Sequence, residues 1–575
     1  MSDESRIREL SELIRNKCLQ TRQQQQQAEG QAPNTAIQVQ GAEVLSRLRE
    51  VIVRLQEEIK DPSPAGIQQR LQYTASKLGL NYSNQRSANG VSCYLNTESF
   101  YVEVCVSDNG TVTSANVVLG QETQKNTDIL VKLLQDCKYI EFEKHIKSLV
   151  DMFSQATGQD TAVLLLKAVF AIESILSSIE NPNYSNPIDS ILLNHLGIVT
   201  PRKAGLPMKL TFFITPSEGI SAGLNQESSS SIIEGELDVG ISAKVQVERS
   251  STQFYRLPID PNIFNSSQGA FAQLTEQNSV SVPLTLILSL NEDIPICTGI
   301  AEKLQQTVYL TTQTLPSLIA PHVDQLIISE ASKKVKDSNV AKEHITNSVH
   351  TIYLPGQVHE YVGLGVHNEV PNLQRGVLLP NRSVPFTHPV HVIKIIYLLR
   401  QQLVYNTLLV SCLTRKRRGT VPATKSLDDY SFHVSTQPPE AIIMATQLLT
   451  TKGGVIPLKF KFVIPQEKVA PTQPVLHLQA GSDDQSMEQS PSLNKILAKS
   501  LSIPVTIHAG FSRPGVLPPS VAAAFKDHQD ALKAFNSELT SCGIASGDFS
   551  SHMTSLSEQQ LTGVAAGFKR KRPPV

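Results

Sequence analysis

The sequence predicts an α+β fold: a helical N-terminal region, then mixed helix and antiparallel-sheet domains, then a short flexible C-terminal tail. Three observations lead there. Between residues 42 and 60, apolar side chains recur at helical spacing. Near residue 100 the period switches to two, and a tight-turn signal, Asp108-Asn109-Gly110, follows at once. Beyond Pro207, short strand-like runs dominate, interrupted by one long apolar segment at 389–413. At 575 residues the chain exceeds one simple core, and length alone suggests about four domain-sized units.

Residues 1–41 read as a helical, Gln-rich segment and linker, with five glutamines at Gln23–Gln27. Residues 42–80 form a helical region. Val44, Leu48, Val51, Leu55 and Ile59 step by four, three, four and four, which puts them on one stripe. That stripe is a candidate contact for a partner, or for the chain's own core. Asp61-Pro62-Ser63-Pro64 ends this helix, and Ile67, Leu71 and Leu78 mark another, with Gly79 placed as its left-handed cap.

Residues 90–200 hold a hairpin plus helices. Tyr101–Val106 alternates, Asn109-Gly110 tolerates the positive φ of a tight turn, and Val112–Leu119 returns. Helices are expected at 128–137, 141–153, 160–180 and 188–196. Residues 207–345 are β-rich, with strands at Lys209–Thr215, Ala243–Val247 and Ser281–Leu290 and a helix at 298–307. Residues 350–510 are β-rich around the long helix 389–413. Strands are expected at Ile352–Leu354, Val377–Leu379, Ser431–Ser435, Ala441–Thr446, Pro457–Ile464 and Ser502–His508, with a helix at 491–500. The tail, 516–575, has one Ala-rich helix at 519–538 and a basic C-terminus.

Composition excludes several classes. Formal net charge is −1 and charged residues are 18%, so no broad attraction to nucleic acid or membrane follows. There is no Trp to stack on bases. The cysteines, Cys18, Cys93, Cys105, Cys137, Cys297, Cys412 and Cys542, are odd in number and lack tight spacing, which fits a reducing compartment without a disulfide frame or zinc knuckle. Ala162–Ile179 and His391–Leu413 are apolar, but they carry Lys167, Glu173, Lys394, Arg400, Gln401 and Gln402. A spanning helix needs about 20 nearly uninterrupted apolar residues, so both read as core helices.

The search for chemistry gives decoys. Gly219-Ile220-Ser221-Ala222-Gly223 matches GxSxG, yet polar residues follow Ser221 where a nucleophile elbow needs a helix. His388 and His391 have a spacing that suits a metal, but Pro389 intervenes and no Cys, Asp or Glu is near in sequence. No cofactor and no metal is expected. Two basic runs, Arg415–Arg418 and Lys569-Arg570-Lys571-Arg572, read as nuclear targeting signals or solvated loops; the second lies at a free end and is favoured.

Several segments, in order, resemble the Mediator complex subunit 1 family: Phe100–Val104 (FYVEV), Glu141–Val150 (EFEKHIKSLV), Thr200-Pro201-Arg202 with the strand up to Pro216, Tyr255–Pro258 (YRLP), Leu354–Gln357 (LPGQ), Phe386–Arg415 and Ser502–Thr506 (SIPVT). The resemblance spans residues 40 to 510. It implies a non-enzymatic nuclear subunit of the Mediator middle module, touching other Mediator subunits and gene-specific transcription factors, and reaching RNA polymerase II indirectly. It implies no membrane and no direct sequence-specific nucleic-acid binding. Animal members carry receptor-binding LxxLL boxes in a long disordered C-terminal extension. The sequence here does not include it and is expected to be either a short form or an incomplete sequence, so direct receptor binding is not carried over. Two other classes stay open: a cytosolic adaptor or trafficking scaffold, and a serine hydrolase using Ser221.

One LxxLL match occurs, Leu130-Val131-Lys132-Leu133-Leu134. Leu130, Leu133 and Leu134 share a face with Ile129 and Cys137, and a second amphipathic helix bearing Phe142, Ile146, Leu149 and Phe153 follows closely. Two such helices tend to pack on each other or on a common sheet. The box therefore reads as core, not as a docking peptide.

Overall fold

A computed structural model describes residues 63–541 apart from internal segments, of which 225–238, 309–320, 335–348, 365–373 and 414–428 are the longest. The chain divides into two compact units, residues 1–146 and 147–575.

In the first unit, α1 (Pro64–Leu78) begins where the Ser63 side chain accepts a hydrogen bond from the Gly66 N–H. It ends at Gly79, whose φ of 70° is the expected left-handed cap. Next come β1 (Asn81–Ser87), β2 (Gly90–Asn96), β3 (Phe100–Ser107), β4 (Val112–Leu119) and β5 (Glu122–Thr123), an antiparallel meander in sequential order. The β3–β4 hairpin turns at Asp108-Asn109-Gly110, where Gly110 takes φ 86°. Alternation buries Cys93, Leu95, Val102, Val104, Ala115 and Val117 on one face. Helices α1 and α2 (Asp128–Gln135) pack on the sheet, and Gln135 Nε2 donates to the Val112 carbonyl at 2.8 Å. The opposite face carries Tyr94, Tyr101 and Glu103, with the Tyr94 hydroxyl donating to Glu103 at 2.9 Å. α3 (Tyr139–Phe153) begins in this unit.

The second unit continues with α4 (Gln159–Ser178), α5 (Pro187–Leu193), β6 (Ile198–Thr200), β7 (Lys209–Phe213), α6 (Pro216–Ser221), β8 (Ile241–Arg249) and β9 (Tyr255–Pro258). Then come β10 (Phe264–Asn265), β11 (Ala270–Phe271), β12 (Ser279–Val282), β13 (Leu284–Leu290), β14 (Pro295–Cys297), α7 (Thr298–Val308) and α8 (Val323–Lys334). The elements β15 (Val349–Leu354), β16 (Gln357–Val362), β17 (Gly376–Leu378) and β18 (Ser383–Phe386) lead into α9 (Pro389–Ser411). The chain closes with β19 (Asp429–Gln437), β20 (Ala441–Leu449), β21 (Val455–Val463), β22 (Val475–Ala480), β23 (Glu488–Gln489), α10 (Pro491–Ser500), α11 (Ile503–Ser512) and α12 (Pro519–Ser541).

Two larger sheets frame this unit. One is antiparallel in the order β18-β13-β8-β7-β6. The other runs β15-β16-β19-β20-β21-β22-β23 and is antiparallel except where β16 lies parallel to β19. A parallel neighbour needs a crossover connection, and here that crossover contains α9. α9 packs against α7, α8 and α11 as well as β7, β14 and β18. Its buried side chains span the whole circumference, from Val392 to Leu409, as a core helix requires. α4 is long and apolar enough to cross a membrane by length and composition. It also holds Glu173, buried in an ion pair with Arg202, which suits a protein core.

One expected strand is a helix. Ile503, Val505 and Ile507 alternate, and the sequence predicts a strand at Ser502–His508. The chain there forms α11, and Val505 is 43% exposed while Ile503, Thr506, Ile507 and Phe511 are buried. Those burials fit a period of 3.6, not two. Ser502 stands at the N-cap and Pro504 in the first turn, where a missing N–H costs nothing. Several elements are not expected from the sequence, β1, β2, β16, β22 and α8 among them: NYSNQRS of β1 has no apolar alternation, since its side chains are mostly exposed at a sheet edge, and α8 has a weak apolar stripe.

Candidate functional site

Ser221 is the last residue of α6, a short helix opened by a Thr215–Glu218 capping box. Its hydroxyl is exposed and donates to the Ser217 carbonyl at 2.8 Å. The helix precedes the serine, whereas a nucleophile elbow needs one after it. Among the described residues, no imidazole hydrogen-bonds Ser221.

His388 caps α9: its Nδ1 accepts from the Val390 N–H at 3.1 Å. Its ring lies 5.9 Å from that of His391, centroid to centroid. Burial, then the His388 and Lys394 neighbours, pushes the His391 imidazole down to about 4. Among the described residues, no group of three or more His, Cys, Asp or Glu is arranged to hold a metal ion.

Within the LxxLL match, α2 buries Leu130 and Leu134 fully and leaves Leu133 half-buried. The same face packs on β4. The stripe Val44, Leu48, Val51, Leu55 and Ile59 lies outside the described residues, as do Arg415–Arg418 and Lys569, Arg570, Lys571 and Arg572.

Two groups of polar side chains are brought together inside the second unit. Sequence reasoning found neither as a site. α9 interrupts its apolar run with Arg400, Gln401 and Gln402, and all three are buried. Arg400 Nε donates to the Phe212 carbonyl at 2.8 Å and Nη2 to the Ile191 carbonyl at 2.7 Å. Both acceptors are carbonyls that regular structure leaves unused. Phe212 is the extra residue where the β7–β8 register shifts, and Ile191 is in the last turn of α5. Burial pushes the Arg400 guanidinium down to about 9, so it stays cationic at neutral pH. Gln402 accepts from the Cys297 N–H at 3.0 Å and donates to Asn406 at 2.8 Å, and Asn406 donates to the Pro295 carbonyl at 2.9 Å. One turn of α9 thereby fixes α5, β7 and β14.

The next turn fixes α8 and β19. Tyr405 and Thr436 each donate to the buried carboxylate of Asp324, both at 2.6 Å. Burial, then the Asp324 charge, holds the Tyr405 hydroxyl well above its usual range. A second cluster lies under α11. His359 sits among Tyr361, Tyr430, Phe432 and Phe511. Burial, then His508, pushes it down to about 3, so it is neutral. Gln357 Oε1 lies 3.2 Å from His359 Nε2 and 3.1 Å from His508 Nδ1, tying β16 to α11.

Most of these groups bond one another or protein carbonyls; the buried Gln401 Nε2 has no hydrogen-bond partner among the described residues. Their chemistry is fixation: each satisfied polar contact sets a register that apolar packing alone leaves loose. The segments quoted above for their resemblance fall in both units, FYVEV in the first and LPGQ, Phe386–Arg415 and SIPVT in the second. FYVEV is the core of β3, LPGQ joins β15 to β16, Phe386–Arg415 contains α9, and SIPVT opens α11.

Comparison with known proteins gives a consistent family. The sequence profile of the family described as Mediator of RNA polymerase II transcription subunit 1 matches residues 49–414. A protein of that description from Xenopus laevis is 25% identical over 476 residues, covering 79% of this chain and 28% of its own length. Those from Xenopus tropicalis and Drosophila melanogaster are 27% and 26% identical, covering 63% and 64% of this chain and 23% and 25% of their own lengths. The chain thus spans about a quarter of the length of the curated relatives it matches.

Proposed function

The chain belongs to the family of Mediator of RNA polymerase II transcription subunit 1, and from that premise we propose that it is a non-catalytic subunit of the Mediator coactivator assembly, bridging gene-specific transcription regulators to RNA polymerase II in the nucleus. The observation that carries the proposal is the profile match over residues 49–414. The buried frame around α9 supports it. A subunit that works by surface complementarity spreads its binding over many ordinary residues, and it needs a body that holds those residues in fixed relation.

Its proposed partners are other subunits of the middle module and gene-specific transcription factors, with RNA polymerase II reached indirectly. The stripe Val44, Leu48, Val51, Leu55 and Ile59 is the proposed subunit contact, and Lys569–Arg572 the proposed nuclear targeting signal.

Affinity purification of the tagged chain from nuclear extract tests the function. Other Mediator subunits are expected in the eluate, and an eluate without them overturns the proposal. Replacing Lys569–Arg572 by alanine is expected to reduce nuclear accumulation, scored by microscopy. Unchanged accumulation would move that role to Arg415–Arg418 or to carriage by a partner.

A further inference from the structure

The seven-stranded sheet has two unlike faces. Tyr430, Phe432 and Phe460 lie on the face where Phe511 of α11 and Phe525 of α12 pack. The other face carries the alternate residues. On β21 the run Lys459-Phe460-Lys461-Phe462 buries both phenylalanines and turns both lysines outward. Register places Lys459 beside Ala445 of β20 and Gln479 of β22, and Lys461 beside Ile443 and His477. His433 of β19 follows, opposite Ala445 and exposed.

This face is cationic. Neither Lys459 nor Lys461 has an ion-pair partner among the described residues. Burial, then the Lys461 charge, holds the His477 imidazole below its ordinary range. The acidic side chain of Glu360 shares the face but stands on β16, three strands from β21.

We propose that this face docks an extended acidic peptide from a partner protein, one with apolar side chains between its carboxylates. Alternate residues of a strand stand about 7 Å apart on one face. Lys459 and Lys461 have that separation, and an extended peptide repeats its carboxylates at the same interval. Ile443 and Ala445 lie beside the two lysines on β20 and offer an apolar floor next to them. Nucleic acid fits less well. Two lysines neutralise few phosphates, and His433 and His477 offer no large ring on which bases stack. The proposal does not depend on Mediator membership, since the peptide contact is measured on the isolated chain.

The test uses the full chain and fluorescence anisotropy with a labelled peptide of alternating Glu and Leu. Wild type is expected to bind, and more weakly as salt rises. Lys459→Glu with Lys461→Glu is expected to weaken binding about tenfold or more, and Lys459→Gln with Lys461→Gln by less. Circular dichroism checks the fold of each variant. If charge reversal unfolds the chain, the glutamine pair decides. Wild type that does not bind, variants that bind as wild type does, or a Lys/Leu peptide that binds equally well would each overturn the proposal. So would single-stranded DNA of equal charge binding more tightly than the peptide, which would make this a nucleic-acid surface.

Discussion

Two buried arginines are held in opposite ways. Arg202 meets a carboxylate: its Nε lies 3.1 Å from both oxygens of Glu173, and its Nη2 2.8 Å from one. Among the described residues Arg400 meets only carbonyls, those of Phe212, Ile191 and, at 3.5 Å, His195. In the first site a charge cancels a charge across α4 and the segment before β7. In the second a charge is spread over dipoles that a strand irregularity and a helix end leave exposed. The carbonyls solvate Arg400 incompletely, and burial holds its guanidinium below the ordinary range. The difference separates two uses of a buried cation: one neutralises, the other organises backbone.

The largest expected effect comes from breaking the neutralised pair. Glu173→Ala strands Arg202 without its partner and is expected to lower stability by about 3–5 kcal/mol, read from urea denaturation. Replacing both residues with Met removes the charge problem and is expected to recover most of that loss. A double variant as unstable as the single one would mean that the pair does more than cancel its own desolvation.

An apolar contact sets the scale for comparison. Leu134 of α2 is fully buried against the first unit's sheet. Leu134→Ala is expected to cost about 3 kcal/mol through lost transfer energy and a residual cavity. Unchanged thermal stability would return the LxxLL match to the docking reading.

Arg400→Met is expected to cost less, about 1–3 kcal/mol at neutral pH. It leaves carbonyls unsatisfied but also removes a desolvated ion. Its signature is in the pH dependence. The folded-state value of about 9 lies below the ordinary 12.5. Below pH 9 both states hold the proton and the burial penalty is fully present. From pH 9 upward the native state releases the proton while the unfolded chain keeps it, so this group adds stability as pH rises. The gap between wild type and Arg400→Met should therefore widen as pH rises through the alkaline range. A constant gap would show that Arg400 is better solvated than its contacts imply.

The sequence reveals one part of this frame and hides another. The long apolar run 389–413 marked α9, and Arg400, Gln401 and Gln402 within it argued against a membrane span, but polar residues buried in such a run also need partners. Those partners were not legible. The Ile191 and Phe212 acceptors are backbone carbonyls, which every residue type carries, and they are available only because α5 ends and β7 bulges there. Asp324 was unremarkable in sequence, since α8 has a weak stripe and Tyr405 and Thr436 are 81 and 112 residues away. α11 misled for a related reason: Ile503, Val505 and Ile507 alternate by chance, and only the burial of Thr506 and Phe511 reveals the helical period. The cationic face of β21 was half legible. The alternation in Lys459–Phe462 marked a strand, but its neighbours Ile443 and His477 come from pairing register, which no local window contains.

The smallest effect sharpens the comparison most. Arg382 and Asp293 form the same fork as Arg202 and Glu173, with Nε and Nη2 donating to the two carboxylate oxygens at 2.8 and 2.7 Å. Here both side chains are well exposed. If geometry alone set the energy, Arg382→Ala would resemble Glu173→Ala. Solvent screens an exposed pair and pays for neither ion on its removal. Arg382→Ala is therefore expected to leave the urea midpoint close to wild type, and added salt should erase any residual difference. A loss comparable to that of Glu173→Ala, persisting in high salt, would place the energy of both sites in the bidentate contact and not in burial.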